Sequence, residues 1–567
     1  MLSVAAGLRL TARLVPVSVT PSDDLRRSMA FLGSDLDPVA VVRAGYGAGL
    51  LAAVATLAAT LVAPVAVGAW MVVAALLVGG AVAHAVHGAP RYLARLRRAA
   101  ALGEAPGLVG RAVLRMRIDP TVEGAADFAA ETGRGPLADS LAGHLRRTRG
   151  RSESGLAAFG RAWADWLPEL RRATGLVCAA AAEPSADRTR TLDRALETVL
   201  SGTEERMASF AGSVSGPTTA LYAFGVLLPL ALVSVLPAAR VAGVAVGLPA
   251  LVAVYDLALP AALLLASGWL LARRPVAFRP PAVSRSHPNV PDRRWPPVAA
   301  AAVAIAVALA LTRTRLGWAA PLVAVGGAVG GALLARYRPV LSVRAHAQAV
   351  EAGLTDAAHL VGARVRDGES VESAVAAAAE EVPDETGAML AEAGAVAERL
   401  RVDVHEAFLG EHGALATVPS PRARSVATLI ALAGREGRPA GRALVAMAEH
   451  LDDLASVERA AKRDLSRVTG TLRSTALLFG PLVAGATVAM AGGVGTSGAF
   501  GGDPIPTPQL GLAVGAYVLA LSAILAGLAA ALSAGLDRAL IGYRVGQALC
   551  TATAAYLLAF LGAGAVL

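Results

Sequence analysis

Few residues of this sequence combine the types and spacing that catalysis requires. The only lysine, Lys462, follows an alanine, so the chain has no phosphate-binding Gly-Lys-Ser/Thr loop. His405-Glu406 begins a zinc-helix pattern, but Leu409 stands where the second histidine is needed. We interpret this pair as a solvated helical surface, with a metal site as the alternative. We therefore expect no catalytic, cofactor-binding or metal-binding residues, and no enzyme activity.

Three glycines near the C-terminal end form a second pattern that could bind a cofactor. Gly493, Gly495 and Gly498 have the spacing of a dinucleotide-binding loop. They follow a long apolar run, whereas such a loop follows a strand in a nucleotide-binding fold. The context favours a loop outside the membrane.

Asp256 is the most informative single residue, because it lies within the apolar run 241–271. A carboxylate in hydrocarbon costs a few kcal/mol unless it is paired or close to water. One interpretation is a contact to a partner or a proton site. The other is an Asp at the end of a span, or in a kink between Pro249 and Pro260.

Several glycine pairs have the four-residue spacing that lets membrane helices approach closely. We single out Gly326 with Gly330, and Gly511 with Gly515, as candidate helix-packing residues. The chain has 59 glycines, so such pairs also arise by chance.

The composition restricts the class of protein that must position these residues. Of the 567 residues 55% are apolar and 17% are charged, which excludes a disordered chain and argues against an ordinary soluble enzyme. The two cysteines, Cys178 and Cys550, are too few for a disulfide framework. Nearly all basic residues are arginines, which we attribute to coding bias, and we expect no nucleic-acid partner.

Apolar runs long enough to cross a bilayer, about 20 residues as helices, occur repeatedly. They predict about nine transmembrane helices, since only helices or closed barrels satisfy their backbone in lipid and no strand alternation repeats here. The runs are residues 44–62, 65–86, 220–235, 241–271, 298–311, 316–334, 476–494, 510–532 and 545–567.

Basic residues predict the orientation of these spans. Arginines crowd the connection 273–294 and follow the first hairpin at 91–98, and the positive-inside rule puts both in the cytoplasm. The opposite side receives a tight turn at Pro237–Arg240 and the loop 495–509, which has no basic residue. The sequence thus predicts a multi-pass protein of the cell membrane with a cytoplasmic N-terminus.

Two polar regions, 91–219 and 336–475, have helical periodicity and are predicted to be cytoplasmic bundles. In the second, Leu354, Ala358, Val361 and Val365 mark one helical face, and Gly368 ends it. We predict an all-α polytopic membrane protein with these segments: 1–43 cytoplasmic, 44–90 transmembrane hairpin, 91–219 bundle 1, 220–272 hairpin, 273–297 Pro/Arg linker, 298–335 hairpin, 336–475 bundle 2, and 476–567 C-terminal transmembrane helices.

The order of hairpin, bundle and hairpin occurs twice in the same sense, which indicates a parallel internal repeat. Weak sequence similarity supports it where each bundle leads into the membrane, although apolar sequence also matches by chance. The matching residues are Thr219, Ala220, Leu221, Phe224, Gly225 and Pro229 in one copy, and Thr475, Ala476, Leu477, Phe479, Gly480 and Pro481 in the other.

This layout resembles the type II secretion system F family, the platform proteins of type IV pilus, Tad pilus and archaellum machines, and is most similar to their two-domain archaeal members. The motifs that carry the resemblance are diffuse. They are Gly353-Leu354, Gly368 to Val371, Ala374, Gly437 to Pro439, Gly441 and Ala443-Leu444 in bundle 2, and Ala195-Leu196, Glu204 to Arg206, Phe224-Gly225 and Pro229 in the first copy.

The resemblance implies a non-catalytic role in assembly or secretion. The bundles would dock a hexameric secretion ATPase and transmit its motion to pilin-like subunits. A contact to such a subunit is one of the interpretations of Asp256 given above. An arginine cluster at 146–151 would meet anionic membrane lipid or the ATPase, or is simply a solvated helix end. A homo-oligomer is compatible with this role. The alternatives are a transporter or channel, which predicts more intramembrane polar residues and an inverted repeat, and a membrane enzyme without a recognisable site.

Overall fold

All secondary structure in the described part of the chain is helical, which confirms the predicted all-α class. The computed structural model describes residues 11–12, 15, 19–34, 36–58, 68–133, 135–241, 247–273, 281, 283, 287–291, 295–314, 316–436, 438–496 and 506–566. Within these ranges there is no strand. The chain divides into two compact units, residues 1–101 and 102–567.

The first unit contains α1 (Asp23–Leu32), α2 (Pro38–Ala58) and the beginning of α3 (Gly68–Ile118). Ser22 caps α1 by accepting a hydrogen bond from the Leu25 amide at 3.3 Å, so one of the free amides of the first turn is satisfied. Helices α2 and α3 approach closely at Gly49 and Gly79. A Cβ added at Gly49 would lie 2.6 Å from the Gly79 carbonyl oxygen, so a larger residue there would separate the two helices.

Bundle 1 lies in the second unit and is built from the end of α3 and five further helices. These are α4 (Val122–Thr132), α5 (Pro136–Thr148), α6 (Gly155–Ala162), α7 (Pro168–Ala180) and α8 (Ser185–Tyr222). Their apolar faces meet in a core that contains Leu141, Phe159, Leu170 and Leu192, each fully buried. Burial of such a face is what stabilises short helices of this kind.

Helix α8 continues without a break from bundle 1 into an apolar helical segment. A π-helical turn, Ala223–Leu227, joins it to α9 (Leu228–Val241). The tight turn predicted at Pro237–Arg240 is wrong, because α9 is helical through these residues. Pro237 therefore stands inside a helix, where it removes one backbone hydrogen bond without ending the helix. The chain then returns through α10 (Leu248–Val252), a π turn Ala253–Ala258 and α11 (Leu259–Ala272).

The second half of this unit repeats the alternation of apolar and polar helices. Helix α12 (Trp295–Leu311) packs against α13 (Ala320–Ala352), which runs from an apolar beginning to a polar end. Bundle 2 follows, with α14 (Leu354–Asp367), α15 (Val371–Glu381), α16 (Asp384–Leu400), α17 (Val404–Leu409), α18 (Pro421–Glu436) and α19 (Arg438–Ser474). A π turn, Thr475–Phe479, leads from α19 into α20 (Gly480–Thr496), and α21 (Thr507–Ala534) and α22 (Arg538–Val566) complete the chain.

The predicted core face of α14 is confirmed, because Leu354, Ala358, Val361 and Val365 are all buried in bundle 2. The boundary at Gly368 is also confirmed. This glycine has φ = 108°, a left-handed conformation that costs glycine little, and its amide donates to the Arg364 carbonyl at the end of α14.

Within the described residues, seven helical segments are long and apolar enough to cross a membrane, as expected of a multi-pass protein. They are Pro38–Ala58, Ser185–Val235, Leu248–Leu271, Gly317–Asp367, Gly441–Gly492, Thr507–Ala534 and Arg538–Ala565. Of the other two predicted spans, Trp295–Leu311 is a shorter apolar helix, and 65–86 lies partly outside the described residues. The number nine stays a prediction.

Six of the predicted segment boundaries fall inside continuous helices. They are 43/44 in α2, 90/91 in α3, 219/220 in α8, 297/298 in α12, 335/336 in α13, and 475/476 in the π turn after α19. A helix satisfies its own backbone in both water and lipid, so it needs no break where it leaves the bilayer. The hydropathy of the sequence therefore predicts where a helix changes from apolar to polar residues, but not where the helix ends.

Candidate functional site

Asp256 lies in the π turn between α10 and α11, eight residues after Leu248. The residue is half-buried, and its Oδ1 atom is buried without a hydrogen-bond partner among the described residues. Its neighbour Tyr255 points into the protein and donates a hydrogen bond of 2.6 Å to the Pro229 carbonyl. Asp256 thus lies in a π turn of an apolar helix, next to the hydrogen bond from Tyr255 to Pro229.

The three π turns in the described part of the chain each end two residues before a proline, at Pro229, Pro260 and Pro481. Proline has no amide hydrogen, so the carbonyl four residues earlier loses its α-helical donor, and the ring crowds that carbonyl. Widening the helix by one residue relieves the crowding and is a frequent arrangement at functional sites. The turns before Pro229 and Pro481 lie at corresponding positions of the two copies of the predicted repeat.

Tyr517 on α21 connects two of these irregular turns, Ala223–Leu227 and Ala253–Ala258. Its hydroxyl donates to the carbonyl of Gly225, the residue four before Pro229. Its ring also meets Tyr255 edge-on, with the ring centroids 5.5 Å apart. The carbonyl that the proline leaves without its α-helical donor is thereby satisfied inside the protein, as an apolar environment requires.

Each of the four candidate packing glycines lies against another helix. A Cβ at Gly330 would be 2.6 Å from Cys550 Sγ on α22, and one at Gly511 would be 2.6 Å from the Trp318 ring. A Cβ at Gly326 would collide with Thr553, and one at Gly515 with Leu322. The pair 326/330 therefore belongs to the contact of α13 with α22. The pair 511/515 belongs to the contact of α21 with Trp318, just before α13, and with the beginning of α13.

A buried ion pair joins α13 to the last hairpin. Arg344, whose side chain is 6% exposed, donates to both carboxylate oxygens of Asp537, at 3.2 and 2.8 Å. Its Nε also donates to the Pro281 carbonyl at 3.2 Å. Asp537 additionally accepts from the Leu540 amide at 2.7 Å and so caps α22. This contact brings the end of α13, the linker and the turn 535–537 together.

Arg422 on α18 links the two helices of bundle 2 that continue into apolar segments. It lies 3.7 Å from Glu351 near the end of α13 and 2.7 Å from Glu458 on α19. Burial alone raises the pKa of Glu458, but Arg422 and Lys462 outweigh it, so the pKa is lowered and the carboxylate stays charged.

The surface of bundle 2 has an open acidic cleft of about 640 Å³ between α14, the end of α15 and α19. Its charged lining consists of Asp356, Glu381, Glu449 and Asp452. Glu381 pairs with Arg364 at 2.5 Å and Asp452 with Arg459 at 3.5 Å, whereas no ion pair involves Asp356 or Glu449 in the described part of the chain. The cleft is negative and has room for a basic surface.

His450 on α19 is a buried titratable group that the sequence did not single out. The imidazole lies against Gly110 of α3, and neither ring nitrogen has a hydrogen-bond partner among the described residues. Burial, followed by the nearby charges of Arg111, Arg117 and Arg422, lowers its pKa to about 4. His450 is therefore neutral at physiological pH, and it fills the contact between the end of α3 and α19.

The remaining predicted motifs do not assemble a site. His405 and Glu406 are exposed on the short helix α17, and no group of three potential metal ligands occurs in the residues that the structure describes. Gly493 and Gly495 belong to α20, so the loop predicted from residue 495 begins later, and Gly498 lies outside the described residues. The arginines at 146–151 are exposed at the end of α5.

No family model, curated protein or solved structure matches this chain. The case for a function therefore depends on the residues and contacts above.

Several residues that shape these sites were missed in the sequence. Asp537 had a usable signal, since it is the only acidic residue between Asp503 and the last residue of the sequence. The prolines at 229, 260 and 481 were visible, but their common relation to π turns was not. Tyr517 and His450 gave no signal, because an isolated polar residue in an apolar face has no pattern of its own.

Proposed function

We propose that this protein is a membrane platform of a type IV pilus-like or archaellum-like machine. It docks a hexameric secretion ATPase on its cytoplasmic bundles and transmits the motion of that ATPase to pilin-like subunits in the bilayer. The role is non-catalytic: the chain binds and moves partners.

The observation that carries this proposal is the continuity of three helices between polar bundles and apolar spans. Helix α8 continues through a π turn into α9, α13 runs unbroken from Ala320 to Ala352, and α19 continues through a π turn into α20. Inside bundle 2 the Arg422 contacts tie α13 to α19. A displacement of bundle 2 therefore displaces membrane helices directly, since helices are stiff over this length.

The proposal includes nine spans in the cell membrane, a cytoplasmic N-terminus and both bundles in the cytoplasm. The positive-inside rule supports this orientation. The Arg344 contacts support a common side for the linker, the end of α13 and the turn 535–537, because one side chain reaches all three.

The acidic cleft of bundle 2 is the proposed ATPase contact. Unpaired carboxylates at Asp356 and Glu449 favour a basic surface, and charge complementarity of this kind sets both the association rate and the specificity. Membrane lipid surrounds the exposed apolar faces, which include Leu265 and Val298, at 74% and 68% exposure.

A charge-reversal capture experiment tests the proposal. The full-length protein is purified from crosslinked host membranes, and co-purifying proteins are identified by mass spectrometry. We expect a hexameric secretion ATPase with the wild-type chain, and roughly ten-fold less of it with the Glu449→Arg/Asp452→Arg variant, because the variant repels a basic partner.

A matched variant controls for net charge. Glu372→Arg/Glu398→Arg changes two exposed acidic residues of bundle 2 outside the cleft and should recover the wild-type amount. Consistent absence of the ATPase contradicts the proposal. Solute flux through liposomes that contain only this protein would instead favour the transporter or channel alternative.

A further inference from the structure

The carboxyl group of Asp256 has no hydrogen-bond or ion-pair partner among the described residues, although a polar group in an apolar span needs one. It stands eight residues after Leu248 in the span Leu248–Leu271, about 12 Å from that end at 1.5 Å per residue. Its Oδ1 atom is buried and unpartnered within the described residues. An unsatisfied polar atom in hydrocarbon is strongly unfavourable, so a donor from outside the chain would be stabilised there.

Asp256 lies at the boundary between the two faces of its helix. On one side Leu251, Tyr255 and Leu263 are buried in the core that α21 also enters. On the other side Val252 and Leu257 are exposed, Leu257 to 72%. Asp256 is half-buried between these two faces, so its Oδ1 atom is enclosed while part of the side chain borders the lipid-facing surface.

The adjacent helix extends the same exposed surface. Tyr255 and Leu263 contact α9 and the π turn before it, at the Pro229 carbonyl and at Gly225. Next to these contacts Leu228 and Leu232 are 50% and 54% exposed. Two neighbouring spans thus present a common apolar face with one carboxyl group at its edge.

The occupant that fits this face is another transmembrane helix. Apolar helices gain little from pairing in lipid, so a complementary polar contact supplies the preference for one partner. A metal ion does not fit, because no group of three potential ligands occurs in the described residues. The nearest described basic group along this helix, Arg273, stacks on Trp269 at 3.7 Å near the other end.

We infer that the lipid-facing side of the span Leu248–Leu271 is a lateral docking site for a transmembrane helix of another protein, which places a basic side chain against Asp256. The identification of the occupant as a pilin-like subunit rests on the proposed function, whereas the docking site itself does not depend on it.

Model helices test the inference with the full-length protein. A synthetic Leu/Ala transmembrane peptide carries one Lys about 12 Å below its outer end, and energy transfer in liposomes reports its binding to the labelled protein. A peptide with Leu in place of Lys, and one with Lys at the opposite depth, are the controls. We expect the first peptide to bind the wild-type protein roughly five-fold more tightly than either control.

Variants locate the binding. Asp256→Leu should abolish the advantage of the Lys peptide, and Asp256→Asn, which keeps hydrogen-bonding capacity without charge, should reduce it. Ser234→Leu changes an exposed polar residue of the neighbouring span and should leave it unchanged. Equal binding of the Lys and Leu peptides to the wild type, or an undiminished advantage in Asp256→Leu, overturns the inference.

The Asp256 variants also separate this inference from the ATPase proposal. Circular dichroism and gel filtration establish that each variant is folded before it is compared. ATPase capture by a folded Asp256→Leu protein should equal that of the wild type, because the carboxyl group lies in a span and the cleft in bundle 2. Loss of peptide preference with intact ATPase capture supports the docking site by itself.

Discussion

His450 determines how the contact between α3 and α19 responds to acid. Burial and three arginines, Arg111 and Arg117 from α3 and Arg422 from α18, lower its pKa to about 4, against an ordinary value of 6.5. Arg111 experiences the same environment, since burial lowers its pKa to about 10. The folded protein therefore resists a proton that the unfolded chain accepts.

The lowered pKa of His450 predicts that the free energy of unfolding decreases as the pH is lowered from about 6.5 to about 4. Above about pH 6.5 His450 has no effect on it. At pH 5 the loss is about 2 kcal/mol relative to pH 8. Thermal unfolding in detergent measures it. His450→Leu should remove this part of the pH dependence, whereas His405→Leu, which changes an exposed histidine, should keep it. An unchanged pH profile in His450→Leu would show that another group controls acid stability.

At the scale of elements, close contacts between helices hold the C-terminal spans together. Gly330 packs directly against Gly546 and Cys550 of α22. A Cβ added at Gly330 would lie 2.9 Å from the Gly546 carbonyl oxygen. Helices that approach this closely gain dispersion contacts that larger residues prevent. The contact matters for the proposed function because α13 also enters bundle 2.

Gly330→Leu should therefore destabilise the protein by about 2 kcal/mol, the cost of overpacking a tight contact. Gly562→Leu is the matched control, since a Cβ at that glycine of α22 meets nothing within 4 Å. Unfolding midpoints of the two variants in the same detergent make the comparison. Similar midpoints for both would mean that the contact of α13 with α22 does not depend on Gly330.

Sequence patterns predicted some elements well, and the reason is periodicity. The core face of α14 and its end at Gly368 followed from apolar spacing and from the left-handed conformation that glycine adopts easily. The same reasoning missed the π turns and misplaced the turn at Pro237–Arg240. A proline interrupts one hydrogen bond, but the tertiary contacts around it decide whether the helix ends, bends or widens.

For the molecule as a whole, hydropathy predicted an all-helical, multi-pass chain with polar regions between the spans. It did not predict that helices would run through the boundaries, because lipid and water both accept a closed helix. The candidate sites were predicted only in part. Asp256 and the glycines were visible in the sequence, but the partners of Arg344, Arg422 and Tyr517 are distant in the chain and come together only in the fold.

Crosslinking in living cells tests whether bundle 2 contacts a hexameric secretion ATPase, as we propose. A photoreactive amino acid replaces Glu449 in the cleft or, as the control, Glu398 on the exposed side of α16, and adducts of the full-length protein are identified. We expect a covalent adduct with the hexameric secretion ATPase from position 449 and none from position 398. No ATPase adduct from position 449, or equal adducts from both positions, would contradict it.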